Sequence, residues 1–288
     1  MKKWKKPLFV VLLSIVSLLV VLVTGAVMYA NYYVNDEDIH VSEELFPEGA
    51  PKKILAIFAH PDDEIMIAGT YHKLNKDKDV ISVLSTFTRG EAGGTGGLIP
   101  KEKLGETRTK ELEKSAEILK IDHLEVYDYP DSGLADAGHE AIKQTIRELI
   151  HLYKPTTVLT YDDIVGLYGH PDHVVMSKLT KEVVTAEMEK EDSPVKRLYF
   201  ATLPKPMIDL ALKLSPTFKE RYPRDKGLPE PTIAFPMASE ASARKQVLLA
   251  HETQWKTAAS VQPYHDKVPS WIYYRIFDRE YYHLVKSK

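Results

Sequence analysis

The 288-residue chain contains no cysteine. That excludes disulfides, thiolate metal sites and a cysteine-linked lipid anchor, and leaves His, Asp and Glu to hold any transition metal. Basic excess is also missing: 38 Lys and Arg stand against 41 Asp and Glu, a net charge of −3. Apart from the extreme N-terminus the basic residues are scattered, which argues against the basic stripe of a nucleic-acid binder. There is no architectural repeat and no low-complexity tract beyond one glycine-rich loop. A hydrophobic content of 44% is enough for one good-sized core.

Charge is missing from one long stretch. Lys2, Lys3, Lys5 and Lys6 precede an uncharged run from Pro7 to Tyr33, and Asp36, Glu37 and Asp38 follow it. About 20 apolar residues at ~1.5 Å each span a hydrocarbon core of ~30 Å. Lysines before the run and acids after it place the N-terminus in the cytoplasm and the remainder outside. Trp4, Tyr29, Tyr32 and Tyr33 sit where interfacial aromatics belong. A cleaved signal peptide is the other reading, with Thr24-Gly25-Ala26 as a small-residue site; it too exports the rest of the chain. The expected division is a lysine cluster and transmembrane anchor over 1–33, a polar stalk over 34–52, and a single domain over 53–288.

From Lys53 onward strand and helix patterns alternate. A continuous apolar run at 53–59, a β-rich segment at 80–88 and segments at 123–129, 156–161 and 195–202 read as strands, and helical patterns fall at 63–77, 104–120, 139–154, 170–190 and 241–255. This rhythm predicts an α/β, Rossmann-like layered fold with a mostly parallel sheet. The proline-bearing segment 203–230 reads as an insertion or covering loop. In such sheets the loops beyond the strands' C-terminal ends form the site. His60, Arg89, Asp131, His170 and His173 each follow a different predicted strand, or share one, and so converge on one rim.

Two motifs echo each other, HPDDE at 60–64 and HPDH at 170–173. Proline suits a first helical turn, and acids are favourable there, so capping alone could explain each motif; the paired histidines exceed what a cap needs. His60 and Asp63, spaced as HxxD, with His173 from the second motif, offer a zinc site of three ligands and one open position, the catalytic pattern. Spacing does not decide which of Asp62 and Asp63 binds metal. A carboxylate beside the site suits a general base. His170, with Asp172 to orient and charge it, suits an imidazolium that stabilises an oxyanion or donates a proton. Arg108 and Glu111 read as a surface ion pair one helical turn apart, and His251 as structural. The glycine loop 93–97 lacks the Lys-Ser/Thr ending of a phosphate loop.

These motifs resemble the PIG-L, or LmbE-like, family of zinc-dependent N-acetylglucosamine de-N-acetylases. The resemblance is carried by AHPDDE (59–64), TRGEAG (88–93), RTKELEKSAEILKI (108–121), PDSGL (130–134), YGHPDH (168–173) and, more loosely, HETQ (251–254). It implies a Rossmann-like fold and hydrolysis of a linear amide, the N-acetyl group of a glucosamine unit, with release of acetate. It implies one Zn²⁺ held by His60, Asp63 and His173, with other divalent metals acceptable. It makes Asp62 the general base and His170 the acid or oxyanion group with Asp172 beside it. Tyr168 matches a tyrosine that approaches the oxyanion, and Arg89 and Asp131 would contact the sugar.

Outside topology sets this chain apart from family members that act on small thiol precursors or antibiotic intermediates inside the cell. A surface glycolipid, polysaccharide or glycan fragment is the expected substrate. The alternatives are a zinc amidase or esterase on a non-sugar substrate, and a non-catalytic glycan-binding protein on the same scaffold. Retention of Asp62 together with both HPDH histidines favours the enzyme.

Overall fold

A computed structural model describes residues 5–288 of the chain. Lys2, Lys3 and Trp4, part of the predicted N-terminal charge and aromatic pattern, lie outside them. Helix α1 (Lys5–Val34) opens the described chain. Its span Leu8–Val34 has a mean hydropathy of 2.9 and is long and apolar enough to cross a membrane. Its last turns do not hang free. Asn31 Nδ2 donates to the carbonyls of Arg275 and Ile276, each at 3.0 Å, and Asn35 Nδ2 donates to Ile276 at 3.2 Å.

The segment expected as a stalk is packed rather than extended. Ser42 N–H donates to the Ala234 carbonyl at 3.1 Å, Ala234 N–H donates to His40 at 2.9 Å, and Leu45 is fully buried. The physical reason is its two apolar anchors, Val34 and Leu45, which have core to bury against despite the acids between them.

Five parallel strands follow in alternation with helices: β1 (Lys53–Phe58), α2 (Ala68–Leu74), β2 (Ile81–Thr88), α3 (Leu104–Leu119), β3 (His123–Tyr129), α4 (His139–Tyr153), β4 (Thr157–Tyr161), the single turn α5 (Gly166–Gly169), α6 (Pro171–Met188) and β5 (Arg197–Thr202). The mixed α/β fold with a mostly parallel sheet is thus as the sequence predicts. Alternate residues of β1 feed opposite faces: Ile54, Ala56 and Phe58 enter one core, Leu55 and Ile57 the other. Helices α4 and α6 close the second core with Ile142, Ile146, Ile150, Leu179 and Val183. A strand buried on both faces reads as a continuous apolar run, which is why β1, β2, β4 and β5 stand out in the sequence, whereas the edge strand β3 is only half-buried.

The later chain departs from the expectation. Segment 203–230 holds two helices, α7 (Lys205–Leu214) and α8 (Pro216–Arg221). Pro206 and Pro216 sit in the helices' first turns, where a missing N–H costs nothing; they mark starts, not breaks. Strand β6 (Ile233–Pro236) follows, then α9 (Ala241–Ala250), α10 (Trp255–Val261), α11 (Ser270–Ile276) and β7 (Arg279–Ser287). The helix expected over 241–255 breaks at His251, and two antiparallel strands complete a sheet of order β3-β2-β1-β4-β5-β7-β6. Chain order reverses between β1 and β4. That switch point is where an open α/β sheet forms its crevice.

Candidate metal centre

The two histidine motifs leave β1 and β4, the strands flanking the switch point. They are not built alike. Pro171 is the first residue of α6, and His170 caps that helix, its Nδ1 accepting from Asp172 N–H at 3.3 Å. In the first motif Asp62 adopts φ 101°, and a 3₁₀ turn, Asp63–Ile67, precedes α2. Positive φ in a non-glycine residue is strained; here it separates two adjacent carboxylates.

Asp63 turns inward. Its Oδ2 accepts from the backbone N–H groups of Ala59 at 3.1 Å and His60 at 2.8 Å, and its Oδ1 lies 3.0 Å from His173 Nε2. His60 Nδ1 lies 3.2 Å from His173 Nε2 and 3.7 Å from Asp63 Oδ2. All three residues are buried. The outer nitrogens have their own partners. His173 Nδ1 donates to the Gly166 carbonyl at 3.1 Å. His60 Nε2 donates toward Asp131 Oδ1 at 3.1 Å and Asp172 Oδ2 at 3.3 Å. In the neutral rings assigned from these bonds, His60 Nδ1, His173 Nε2 and Asp63 present three lone-pair donors to one another, an arrangement that a shared proton or a metal ion relieves.

Metal–ligand bonds of about 2.0–2.2 Å set tetrahedral donor atoms roughly 3.3–3.5 Å apart, close to the separations here. Carboxylates behind a ligating histidine fix its tautomer and raise its basicity. The donor set therefore fits a divalent metal held by His60, Asp63 and His173. The charges of these groups are strongly linked. Burial would pull His60 down, but hydrogen bonds to Asp131, Asp172 and Asp63 raise it well above an ordinary histidine. Burial would raise Asp63, yet His173 and His60 hold it well below the carboxylate range.

Glycine is needed at Gly166, which has φ 61°; a Cβ there would lie 2.7 Å from the Cβ of His173.

Asp62 faces elsewhere. Its Oδ2 is 3.1 Å from Arg108 Nη2, and it lines a small pocket with Asp63, Tyr161 and Tyr168. Burial raises its pKa, and Arg108 opposes the rise. The expected Arg108–Glu111 surface pair does not exist. Both side chains are buried; Arg108 donates to the Gly90 carbonyl at 2.8 Å and to Pro61 O, while Glu111 accepts from Thr253 N–H and Oγ1, each at 2.7 Å. Their helical spacing was correct, but that face of α3 turns inward. Arg108 is the site residue that the sequence reading missed; the signal was its place within RTKELEKSAEILKI.

Other expected residues are displaced in role. Asp172 does not charge His170: its carboxylate accepts from Ser132 N–H at 2.7 Å and Leu134 N–H at 3.3 Å and backs His60. Burial, with His173 and His60 nearby, pushes His170 down to about 3, so its ring is neutral rather than an imidazolium. Asp131 backs His60 and accepts from Ala92 N–H at 2.8 Å instead of standing free. Arg89 turns outward to Asp128 Oδ1 at 3.1 Å. Tyr168 stacks edge-on against His173, ring centroids 5.2 Å apart. His251 is fully buried, its Nε2 2.5 Å from Glu64 Oε1.

Residues 55–184 match the family described as GlcNAc-PI de-N-acetylase, PIG-L. The chain is 34% identical over 123 residues to the diacetylchitobiose deacetylase of Thermococcus kodakarensis, a match covering 42% of this chain and 45% of that relative. It is 30% identical over 245 residues to 1D-myo-inositol 2-acetamido-2-deoxy-alpha-D-glucopyranoside deacetylase 1 of Frankia alni, covering 68% of this chain and 82% of that one. Among solved structures, the fold is similar to N,N'-diacetylchitobiose deacetylase of Pyrococcus horikoshii, with a TM-score of 0.54, 20% identity, and 82% and 84% of the two chains covered.

Proposed function

This chain belongs to the PIG-L family, and from that premise we propose that it is a zinc-dependent de-N-acetylase acting on an N-acetylglucosamine unit. The observation that carries the reading is the inward turn of Asp63 onto the facing nitrogens of His60 and His173. The metal those residues would hold supplies Lewis acidity, lowering the pKa of water and polarising the amide carbonyl.

The chain's own groups do the rest. Asp62, ionised and steadied by Arg108, takes a proton from water as the oxygen attacks the carbonyl carbon. His170 has its Nδ1 engaged by Asp172 N–H, so its Nε2 carries the proton and donates to the developing oxyanion. The Tyr168 hydroxyl is the second donor. Its pKa is raised by burial, which keeps it protonated. Asp62 then returns its proton to the departing amine, the C–N bond breaks, and acetate leaves. Asp131 and Asp172 hold the His60 ring in the tautomer the site needs.

On this reading the reaction takes place at a membrane, supported by the long apolar span of α1. We read the N-terminus as cytoplasmic and the catalytic domain as extracellular, supported by the lysines before the span and the acids after it. The functional test is acetate release from N-acetylglucosamine glycosides by the full chain in detergent, with and without chelation. Metal-dependent release is expected; absence of acetate from every acetamido sugar overturns the substrate class. Protease shaving of intact cells tests the topology: loss of the domain is expected, and a protected domain contradicts it.

A further inference from the structure

The peptide unit joining Pro61 to Asp62 is held at both of its polar atoms by buried charged side chains. Its carbonyl accepts from Arg108, and its N–H donates to Glu64 Oε2 at 3.0 Å. The orientation of this unit fixes φ at Asp62 at 101°, the angle that turns the two neighbouring carboxylates apart. Non-glycine residues rarely rest there unless their surroundings hold them. A flip that relaxed the angle would break both charge-assisted hydrogen bonds at once. Glu64 is itself fixed. Its Oε1 accepts from Ser115 Oγ at 2.6 Å, and His251 Nε2 lies 2.5 Å from the same oxygen. All three side chains are buried. Among the described residues His251 Nδ1 has no hydrogen-bond partner, so Glu64 is the ring's one polar contact. A buried polar ring with half its capacity unmet is expensive, and holding Glu64 is what its polarity accomplishes.

The two adjacent aspartates are therefore aimed by different elements. Asp63 is held from the sheet. The N–H groups of Ala59 and His60, just past β1, donate to its carboxylate, and the Tyr161 hydroxyl of β4 donates to its carbonyl at 3.0 Å. Asp62 is held from the helices. Arg108 of α3 meets its carboxylate and the carbonyl before it. Glu64 takes its N–H, anchored by Ser115 of α3 and by His251 at the end of α9. No side chain is shared between the two sets of contacts.

We propose that Glu64, backed by His251 and Ser115, is a positioning residue of the reaction: with Arg108 it clamps the Pro61–Asp62 peptide and so aims the Asp62 carboxylate, and it has no part in holding the metal. The inference rests on the deacetylase reading, in which Asp62 is the base.

The test is the double variant Glu64→Met with His251→Leu in the full chain in detergent, which removes both charges of the pair and the clamp with them. Stability, metal affinity, kcat and KM are read on one preparation. Metal should bind as in wild type and KM should hold, while kcat falls on the order of 100-fold, the effect of misplacing a reacting group by ~1 Å. Glu64→Gln keeps an acceptor for the Asp62 N–H and should recover part of that loss. Ser115→Ala, which removes one anchor of Glu64 with little risk to folding, should lower kcat to a lesser degree and leave the metal in place. A merely structural pair would let kcat return together with stability in the double variant; that result, or metal lost along with the clamp, overturns the inference and spares the deacetylase reading. If the double variant does not fold, Ser115→Ala decides, and an unchanged kcat overturns the inference. If the wild type releases acetate from no acetamido sugar, the deacetylase reading fails, and amide hydrogen exchange judges the clamp alone. Protection of the Asp62 N–H lost in Ser115→Ala or the double variant, with that of Ala59 and His60 kept, supports the clamp; equal protection in all three proteins overturns it.

Discussion

Arg108 Nη2 stands 3.1 Å from Asp62 Oδ2, and through Gly90 and Pro61 the same guanidinium ties together the loops after β1 and β2. Gly90 has φ 67°, and a Cβ there would lie 2.1 Å from Arg108 Nη1. Burial raises the Asp62 pKa and Arg108 opposes it. A general base works ionised, so activity rises with pH through its pKa. Removing the cation lifts that pKa further. Arg108→Gln should therefore move the acidic limb of the kcat/KM profile to higher pH and lower kcat/KM at neutral pH by on the order of tenfold or more, part of the 10²–10⁴ that a general base contributes. Arg108→Lys should recover part of the shift. A limb that does not move would detach Arg108 from the base.

The carboxylates behind His60 give a prediction about metal affinity. Asp172 Oδ2 and Asp131 Oδ1 lie 3.3 and 3.1 Å from His60 Nε2. Asp172→Asn should weaken metal binding by about 10–100-fold, the usual effect of losing such a partner, while His173→Ala should abolish it. Competition against a chromophoric chelator measures both. Equal affinity in Asp172→Asn and wild type would reduce that contact to packing.

His251 and Glu64 form a buried pair with Ser115 Oγ at 2.6 Å from Glu64. Burial works against both charges, but each holds the other ionised. Breaking one side of such a pair leaves an uncompensated charge and costs about 3–5 kcal/mol. His251→Leu should lose that much stability in urea unfolding, and the double variant with Glu64→Met should recover a large part. A His251→Leu protein as stable as wild type would show that the pair is neutral.

Much of this was legible in the sequence, for physical reasons. β1, β2, β4 and β5 are buried on both faces and read as apolar or β-rich runs; the edge strand β3 is only half-buried and interleaves Glu125 and Asp128 with its apolar residues, and β7 mixes Arg279, His283 and Lys286 with its tyrosines. The metal-facing residues were legible because HPDDE and HPDH each leave a buried strand. The division of labour between Asp62 and Asp63 was not, since it depends on φ 101° at Asp62, a property of the folded turn. Arg108 was hidden because helical spacing reports which residues are neighbours, not which face is buried.

Glu240 supplies an acid-sensitive contact outside the candidate metal centre. Burial pushes its pKa up, but Lys76, Ser239 and His72 hold it down to about 2, from 4.5. A depressed carboxylate contributes stability that is present above its unfolded pKa and lost as pH falls through the folded one. Glu240→Gln should lower Tm at pH 7, and the gap from wild type should narrow as pH falls from about 4.5 toward 2. A gap independent of pH would mean that the carboxylate's charge is irrelevant.

The most direct test of the account separates the adjacent aspartates. Metal content and acetate release would be measured on the same preparations of wild type, Asp62→Asn and Asp63→Asn. Asp62→Asn should keep one metal per chain and release no acetate, while Asp63→Asn should lose both. Metal lost from Asp62→Asn, or retained at full affinity by Asp63→Asn, would contradict the assignment on which the mechanism stands.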